Sequence, residues 1–280
     1  MKIRIIPRLD IKGPNLVKTV FYEGLRIMGD PKKYIKQYYS DGADEIILND
    51  IVASLYKRKF NYNLISEIKK EIHLPLCVGG GLSNINDIEN CLSAGADKIF
   101  INTHGIKDNN FLSLACNTFG SSTISLNITC NYLNNDYFCI THGGRNLTNL
   151  KVTDWIIKGQ DLGVGEIIIT SIDHEGTGKG FDENLYKKIS KYLKVPLIVS
   201  GGFGEIRHMN EILKIVNVSG FALSSSIHYN YLKKNLDNVK KSKFTEGNLE
   251  YINNHSNYFD GQLYDLKQIL HEIENDYRNS

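Results

Sequence analysis

Two glycine-rich segments of this chain repeat at one spacing, and backbone of that kind holds phosphate. His-Leu-Pro-Leu-Cys-Val-Gly-Gly-Gly at 73–81 returns as Lys-Val-Pro-Leu-Ile-Val-Ser-Gly-Gly at 194–202, an offset of 196 − 75 = 121 residues. Upstream, Gly-Ala-Asp-Glu-Ile-Ile-Leu at 42–48 returns as Gly-Val-Gly-Glu-Ile-Ile-Ile at 163–169, and 163 − 42 is again 121. A period this long is not that of a solenoid; it indicates one closed domain built from two similar halves. Glycine lets backbone N–H groups approach an anion closely. A single Gly-Gly serves as readily in a tight turn, but Gly80-Gly81 and Gly201-Gly202 stand at matching places. Asn102-Thr103 and Ser225-Ser226 close the strand that follows each pair, adding side-chain donors and a helix N-terminus. The expected ligand carries a phosphate at each end.

Proton transfer needs a different set. Asp10 and Asp50 end the first two predicted strands, where a carboxylate acts as general acid or base, or else serves as a helix cap or loop ion pair. Asn127 ends the fifth strand, the counterpart of the first. An amide there binds by hydrogen bonds and exchanges no proton. Lys18 lies on a long first loop, either closing over an anionic substrate or, the default for a solitary loop lysine, solvated. Arg4, Glu45, Lys98 and Glu166 open strands 1, 2, 4 and 6. Two cations and two anions can form a neutral ring across a barrel floor; from spacing alone, four solvated strand starts is the simpler reading.

The elements that must position these groups are short apolar runs alternating with helix-period segments, the pattern of βα units. Eight runs are read at 3–9, 45–49, 76–78, 98–102, 123–127, 166–170, 197–200 and 221–224. Helices follow at about 31–41, 61–72, 84–93, 108–118, 152–162, 183–193, 205–215 and 229–240, with Asp30, Asn61 and Asp182 as caps. The fold class is α/β: a single (β/α)8 TIM barrel with internal half-barrel duplication, spanning 1–240. Its active site belongs at the C-terminal ends of the strands, with phosphate held after strands 7 and 8. Tyr137–Thr141 alternates as half of a small hairpin over the barrel mouth. Residues 241–280 form a polar linker and an amphipathic helix with apolar positions at 263, 266, 269, 270 and 273. That helix packs on the outside of the barrel or makes a partner contact.

A net charge of +2 with no basic stripe argues against nucleic acid. The N-terminus lacks a signal-peptide core and no apolar run approaches membrane-spanning length, so the expectation is a cytoplasmic protein without a membrane partner. Five cysteines without a close pair read as reduced thiols, and the scattered histidines predict no metal and no cofactor.

Several motifs together resemble the cyclase subunit of imidazole glycerol phosphate synthase. They are Arg4-Ile5-Ile6-Pro7 with Leu9-Asp10, Leu16-Val17-Lys18, Gly29-Asp30-Pro31, Gly79-Gly80-Gly81, Gly95-Ala96-Asp97-Lys98 with Ile101-Asn102-Thr103, and Gly165-Glu166-Ile167 with Thr170-Ser171-Ile172-Asp173. The similarity runs from about residue 2 to 240. It implies a barrel that receives ammonia from a glutaminase subunit docked on its floor, as a heterodimer. The ammonia joins a bis-phosphorylated formimino ribotide to give imidazole glycerol phosphate and an aminoimidazole carboxamide ribotide, in histidine biosynthesis. By this resemblance Asp10 is the first catalytic carboxylate, and the glycine, Asn102-Thr103 and Ser225-Ser226 positions hold the two phosphates. Lys18, Asp50, Glu175 and Gly176 fall among the substrate-binding positions. Arg4, Glu45, Lys98 and Glu166 match the family's charged ammonia gate, which replaces the solvated reading.

The chain departs from the family pattern at four places. Asn127 stands where the second catalytic aspartate is usual, a substitution that typically costs roughly 10²–10⁴-fold in rate. Arg8 replaces a cysteine, Thr19 a glycine, and Glu175 an aspartate. Ile6–Asp10 and Gly176–Asp182 are more similar to paralogues of surface-polysaccharide pathways, which pass ammonia to a nucleotide-sugar amidating enzyme. An Amadori-type ribotide isomerase and a non-catalytic scaffold are the other readings; the floor gate argues against the isomerase.

Overall fold

The computed structural model describes residues 2–235, 259, 261 and 263–279. Eight parallel strands close on themselves in the order β1 (Arg4–Lys12), β4 (Ile46–Asp50), β5 (Leu76–Gly79), β6 (Lys98–Ile101), β7 (Ile124–Leu133), β10 (Glu166–Ser171), β11 (Leu197–Ser200) and β12 (Gly220–Leu223), which pairs back to β1. This is the (β/α)8 barrel expected from the repeat.

Helices α1 (Pro31–Ser40), α3 (Tyr62–Glu71), α4 (Ile85–Ser93), α6 (Asn109–Phe119), α7 (Val152–Asp161), α8 (Glu183–Ile189), α9 (Ile206–Leu213) and α10 (Ser225–Lys234) follow the strands. Asp30, Asn61 and Asp182 each cap a helix, accepting from the backbone N–H of Lys32, Leu64 and Leu185. Two short helices, α2 (Ala53–Tyr56) and α5 (Thr103–Lys107), carry no amphipathic period long enough to be read from sequence. Helix α10 opens at Ser225 rather than 229, because its first turn is polar yet buried.

Alternation along the strands sorts side chains into two cores. Ile5, Leu9, Leu48, Val78 and Ile99 point outward and meet the helices in the main apolar cluster. Ile6, Ile47, Cys77, Phe100, Ile168, Ile198 and Ala222 point inward and plug the barrel. Each such buried Ile or Phe contributes on the order of 1.5–3 kcal/mol. All five cysteines are free and buried.

Two antiparallel excursions rise from corresponding strands of the two halves. β7 runs on into β8 (Asp136–Thr141) and β9 (Asn146–Lys151), the hairpin expected around Tyr137–Thr141. β1 likewise runs on into β2 (Asn15–Val20) and β3 (Glu23–Gly29), where a long loop was expected. Asp10 and Asn127 therefore lie within extended strands rather than at their ends.

Helix α11 (Leu263–Asn279) buries Leu263, Leu266 and Leu270. Its Lys267 donates to the Gly42 carbonyl at 2.6 Å and pairs with Asp44 at 2.7 Å, fastening the helix beside the starts of β1 and β4. Most of the polar stretch before it lies outside the described residues.

Candidate active site

The inward face of β1 carries Arg4, Ile6, Arg8 and Asp10 in turn, so one strand runs from the barrel floor through the apolar plug to the mouth. At the mouth Asp10 sits beside Asn49, its register partner on β4, and accepts a hydrogen bond from the Asn49 amide at 2.7 Å. It also takes a longer contact, 3.5 Å, from Arg8 Nε.

Arg8 is the central group of the mouth, and it is 3% exposed. Its Nη1 donates to Thr170 on β10 at 3.1 Å and its Nη2 to the Tyr22 hydroxyl at 3.1 Å. Burial opposes its charge, but Tyr22, Asp10 and Glu175 more than offset this and raise its pKa. Burial pushes the Tyr22 phenol up to about 12, against the pull of Arg8, so at neutral pH Tyr22 is an uncharged partner.

Tyr22 reaches this position from a two-residue turn between β2 and β3. Phe21 and Tyr22 both have positive φ there, 56° and 59°, the conformation of the favoured hairpin turn, and bulky residues adopt it rarely. No sequence signal marks it, and Tyr22 escaped the sequence reading for that reason.

Lys18 is not on a loop and does not face solvent. It lies in β2, is 1% exposed, and forms a buried ion pair with Glu175. Glu175 also accepts from the Tyr22 N–H at 3.0 Å and the Thr19 hydroxyl at 3.3 Å. Lys18 and Glu175 thus neutralise each other, and Thr19 supplies part of the anchor. Asp50 forms the loop ion pair that was one of its two readings: both carboxylate oxygens accept from Arg58 Nη2 at 2.9 Å, and one caps the Val52 N–H.

The Arg8–Thr170 and Arg8–Tyr22 bonds cross the mouth, and Arg8 and Tyr22 line cavities on both sides. One cavity, about 430 Å³, holds Asn49, Asp50, Gly80, Gly81, Asn102, Thr103 and Asn127. The other, about 30 Å³, holds Asp10, Lys18, Glu175, Gly176, Gly201, Gly202 and Ser225. The two glycine pairs of the repeat therefore line different cavities, one in each. Asp10 and Asn127, at corresponding places in the two halves, line different cavities.

Glycine is required in both pairs. A Cβ on Gly80 (φ 109°) would sit 2.3 Å from the Asp50 carbonyl oxygen, and one on Gly202 (φ 108°) 2.0 Å from that of Gly180. Ser226 is turned inward, its hydroxyl donating to the Phe203 carbonyl, and lines neither cavity. In the large cavity the amide carbonyls of Asn127 and Asn102 are buried without a hydrogen-bond partner.

At the floor the four strand-opening charges do meet. Arg4 bonds to both Glu45 and Glu166, and Lys98 bridges the same two carboxylates at 3.1 and 3.4 Å. The Ser125 hydroxyl adds a bond to Glu166 at 3.4 Å. Burial raises the pKa of Glu45 against the opposing pull of Lys98 and Arg4. The solvated reading fails here because barrel closure turns all four side chains toward one axis.

A family model described as histidine biosynthesis protein matches residues 4–233. Imidazole glycerol phosphate synthase subunit HisF of Legionella pneumophila is 43% identical over 209 residues, covering 74% of this chain and 99% of that protein. The protein of the same name from Staphylococcus saprophyticus is 39% identical over 230 residues, covering 81% of this chain and 91% of that one. The one from Sulfolobus acidocaldarius is 36% identical over 234 residues, 84% and 93% of the two chains. With its barrel covered nearly end to end, the chain belongs to the histidine biosynthesis protein family, alongside these HisF subunits.

Proposed function

We propose that this chain is the ammonia-receiving synthase subunit of a glutamine amidotransferase complex of the imidazole glycerol phosphate synthase type, paired with a glutaminase in the cytoplasm. The observation that carries this reading is the closed ring of Arg4, Glu45, Lys98 and Glu166 at the floor, opposite a mouth with two glycine-lined grips. A ring of two cations and two carboxylates suits a gate: it is neutral when closed, and with Lys98 displaced both carboxylates still keep their bonds to Arg4. An isomerase that uses no ammonia has no need of such a ring.

In the cyclase reaction, ammonia and the bis-phosphorylated formimino ribotide give imidazole glycerol phosphate and an aminoimidazole carboxamide ribotide. The backbone at Gly80-Gly81 and Gly201-Gly202 would hold the phosphates. Asp10, positioned by Asn49, is the carboxylate available for proton transfer. Asn127 would orient the substrate through its amide without exchanging a proton.

A second reading is favoured by a specific observation. Arg8 and Asn127 are two of the four departures from the family pattern, and Arg8 stands between the two glycine pairs. Under this reading the subunit passes glutaminase-derived ammonia onward, as paralogues do to a nucleotide-sugar amidating enzyme. The deciding experiment supplies the purified protein with ammonium salt and the bis-phosphorylated ribotide and follows loss of the ribotide. Turnover by the natural chain establishes the cyclase. Turnover only in the Arg8→Cys/Asn127→Asp double variant rejects the cyclase for the natural chain, as the second reading expects.

A further inference from the structure

We infer that Arg8 is a specificity-determining residue that divides the mouth, so that the chain takes a ligand bearing one phosphate in the large compartment and not one spanning both grips. The inference rests on the second reading of the proposed function, in which ammonia is passed onward and the bis-phosphorylated ribotide is not the substrate, since it concerns the ligand of the same barrel mouth.

Three observations support it. The guanidinium is tied on both sides, to Thr170 from the barrel wall and to Tyr22 from the overlying hairpin, so it forms a bar rather than a free arm. The space it separates is unequal. At about 430 Å³ the large compartment falls in the range of small-molecule sites, whereas about 30 Å³ admits roughly two water molecules. The charges on the small side are already satisfied: Lys18 is paired with Glu175 and Arg8 with Asp10, so among the described residues lining it no unpaired side-chain cation adds to the Gly201-Gly202 backbone.

The large side, by contrast, offers unmet partners. Lys107 contacts His142 Nε2 at 3.0 Å and, among the described residues, no carboxylate; the His142 N–H in turn donates to Thr103, and all three line this cavity with Gly80 and Gly81. Asn127 presents a buried carbonyl that calls for an N–H donor. The matching ligand is a phosphate monoester whose far end carries amide or amine hydrogens. Moving Arg8 aside to admit a longer ligand would strip Asp10 of its cation and Tyr22 of its bond while both stay buried.

The test is calorimetric binding, without ammonium, of two probes: aminoimidazole carboxamide ribotide, with one phosphate, and the bis-phosphorylated formimino ribotide. For the natural chain the two affinities are expected to agree within about threefold, because the second phosphate finds no seat. In Arg8→Ala the bisphosphate is expected to bind at least about tenfold more tightly than the monophosphate. Tyr22→Ala, which removes the anchor from a surface hairpin and leaves the barrel wall intact, should move the ratio the same way if Arg8→Ala does not fold. A natural chain that already prefers the bisphosphate about tenfold, or one that binds neither probe, overturns the inference. So does an unchanged ratio in both variants. Ammonia delivery through the floor is measured separately with floor-ring variants, so either idea can fail alone.

Discussion

The Asn49 amide donates to Asp10 Oδ1 at 2.7 Å, and the two residues are register partners on adjacent barrel strands. The carboxylate is thus held by the barrel wall itself, and Arg8 supplies its cation from two residues away on the same strand. Removing one member of a buried ion pair leaves the other charge uncompensated. Asp10→Ala is therefore expected to destabilise the protein by about 3 kcal/mol, measured by urea denaturation. A loss smaller than about 1 kcal/mol would mean that Arg8 is neutralised by something other than Asp10.

Lys18 and Glu175 make a sharper case because both are almost wholly buried. Lys18→Met should cost about 3–5 kcal/mol by stranding the carboxylate. Glu175→Gln should cost less than Lys18→Met, since the amide oxygen can still accept from the Tyr22 N–H. Combining Lys18→Met with Glu175→Gln should recover part of the loss, as coupled neighbours do. Strict additivity in the denaturation midpoints would contradict the pairing.

At the floor, Lys98→Ala removes one bridge between Glu45 and Glu166 and leaves Arg4 in place. Coupling of a glutaminase partner to this subunit should fall more than any turnover supported by ammonium salt. Assaying the two nitrogen sources side by side decides it: equal loss of both would reject the gate.

His228 gives a pH dependence whose sign follows from its burial. It bonds to the Tyr38 hydroxyl at 2.6 Å and the Arg8 carbonyl at 3.0 Å, and burial, with Lys18 adding to it, lowers its pKa to about 3. The unfolded chain takes up a proton near the ordinary value of about 6.5 that the folded chain refuses. This contribution to stability is therefore complete above that value and declines as pH falls toward 3, by up to about 1.4 kcal/mol per pH unit. His228→Gln should flatten the slope of stability against pH in that window; an unchanged slope would show that other groups produce it.

Much of the barrel was legible because its signals are local. Apolar runs, the caps Asp30, Asn61 and Asp182, and the hairpin around Tyr137–Thr141 each depend on neighbours within a few residues. The corresponding first-half hairpin was hidden because its turn uses Phe21 and Tyr22 at positive φ, where glycine or asparagine would have announced it. The second-half turn, with Asn134 and Asn135 at φ 48° and 61°, carries that chemistry openly. Missing the first hairpin placed Lys18 on a solvated loop instead of in a buried pair with a residue 157 positions away.

The sequence by itself determined the closed two-half barrel, the matching places of the two glycine pairs and the face shared by Arg4, Ile6 and Asp10, because a 121-residue offset and a period of two are properties of the chain. Only the tertiary structure decided which charges meet. Glu45, Lys98 and Glu166 join Arg4 because closure points separate strands at one axis, and Arg8 reaches Thr170, 162 residues on, because β1 and β10 curve around the same mouth. Charge pairing depends on distance in space, which sequence spacing does not contain until the barrel is closed.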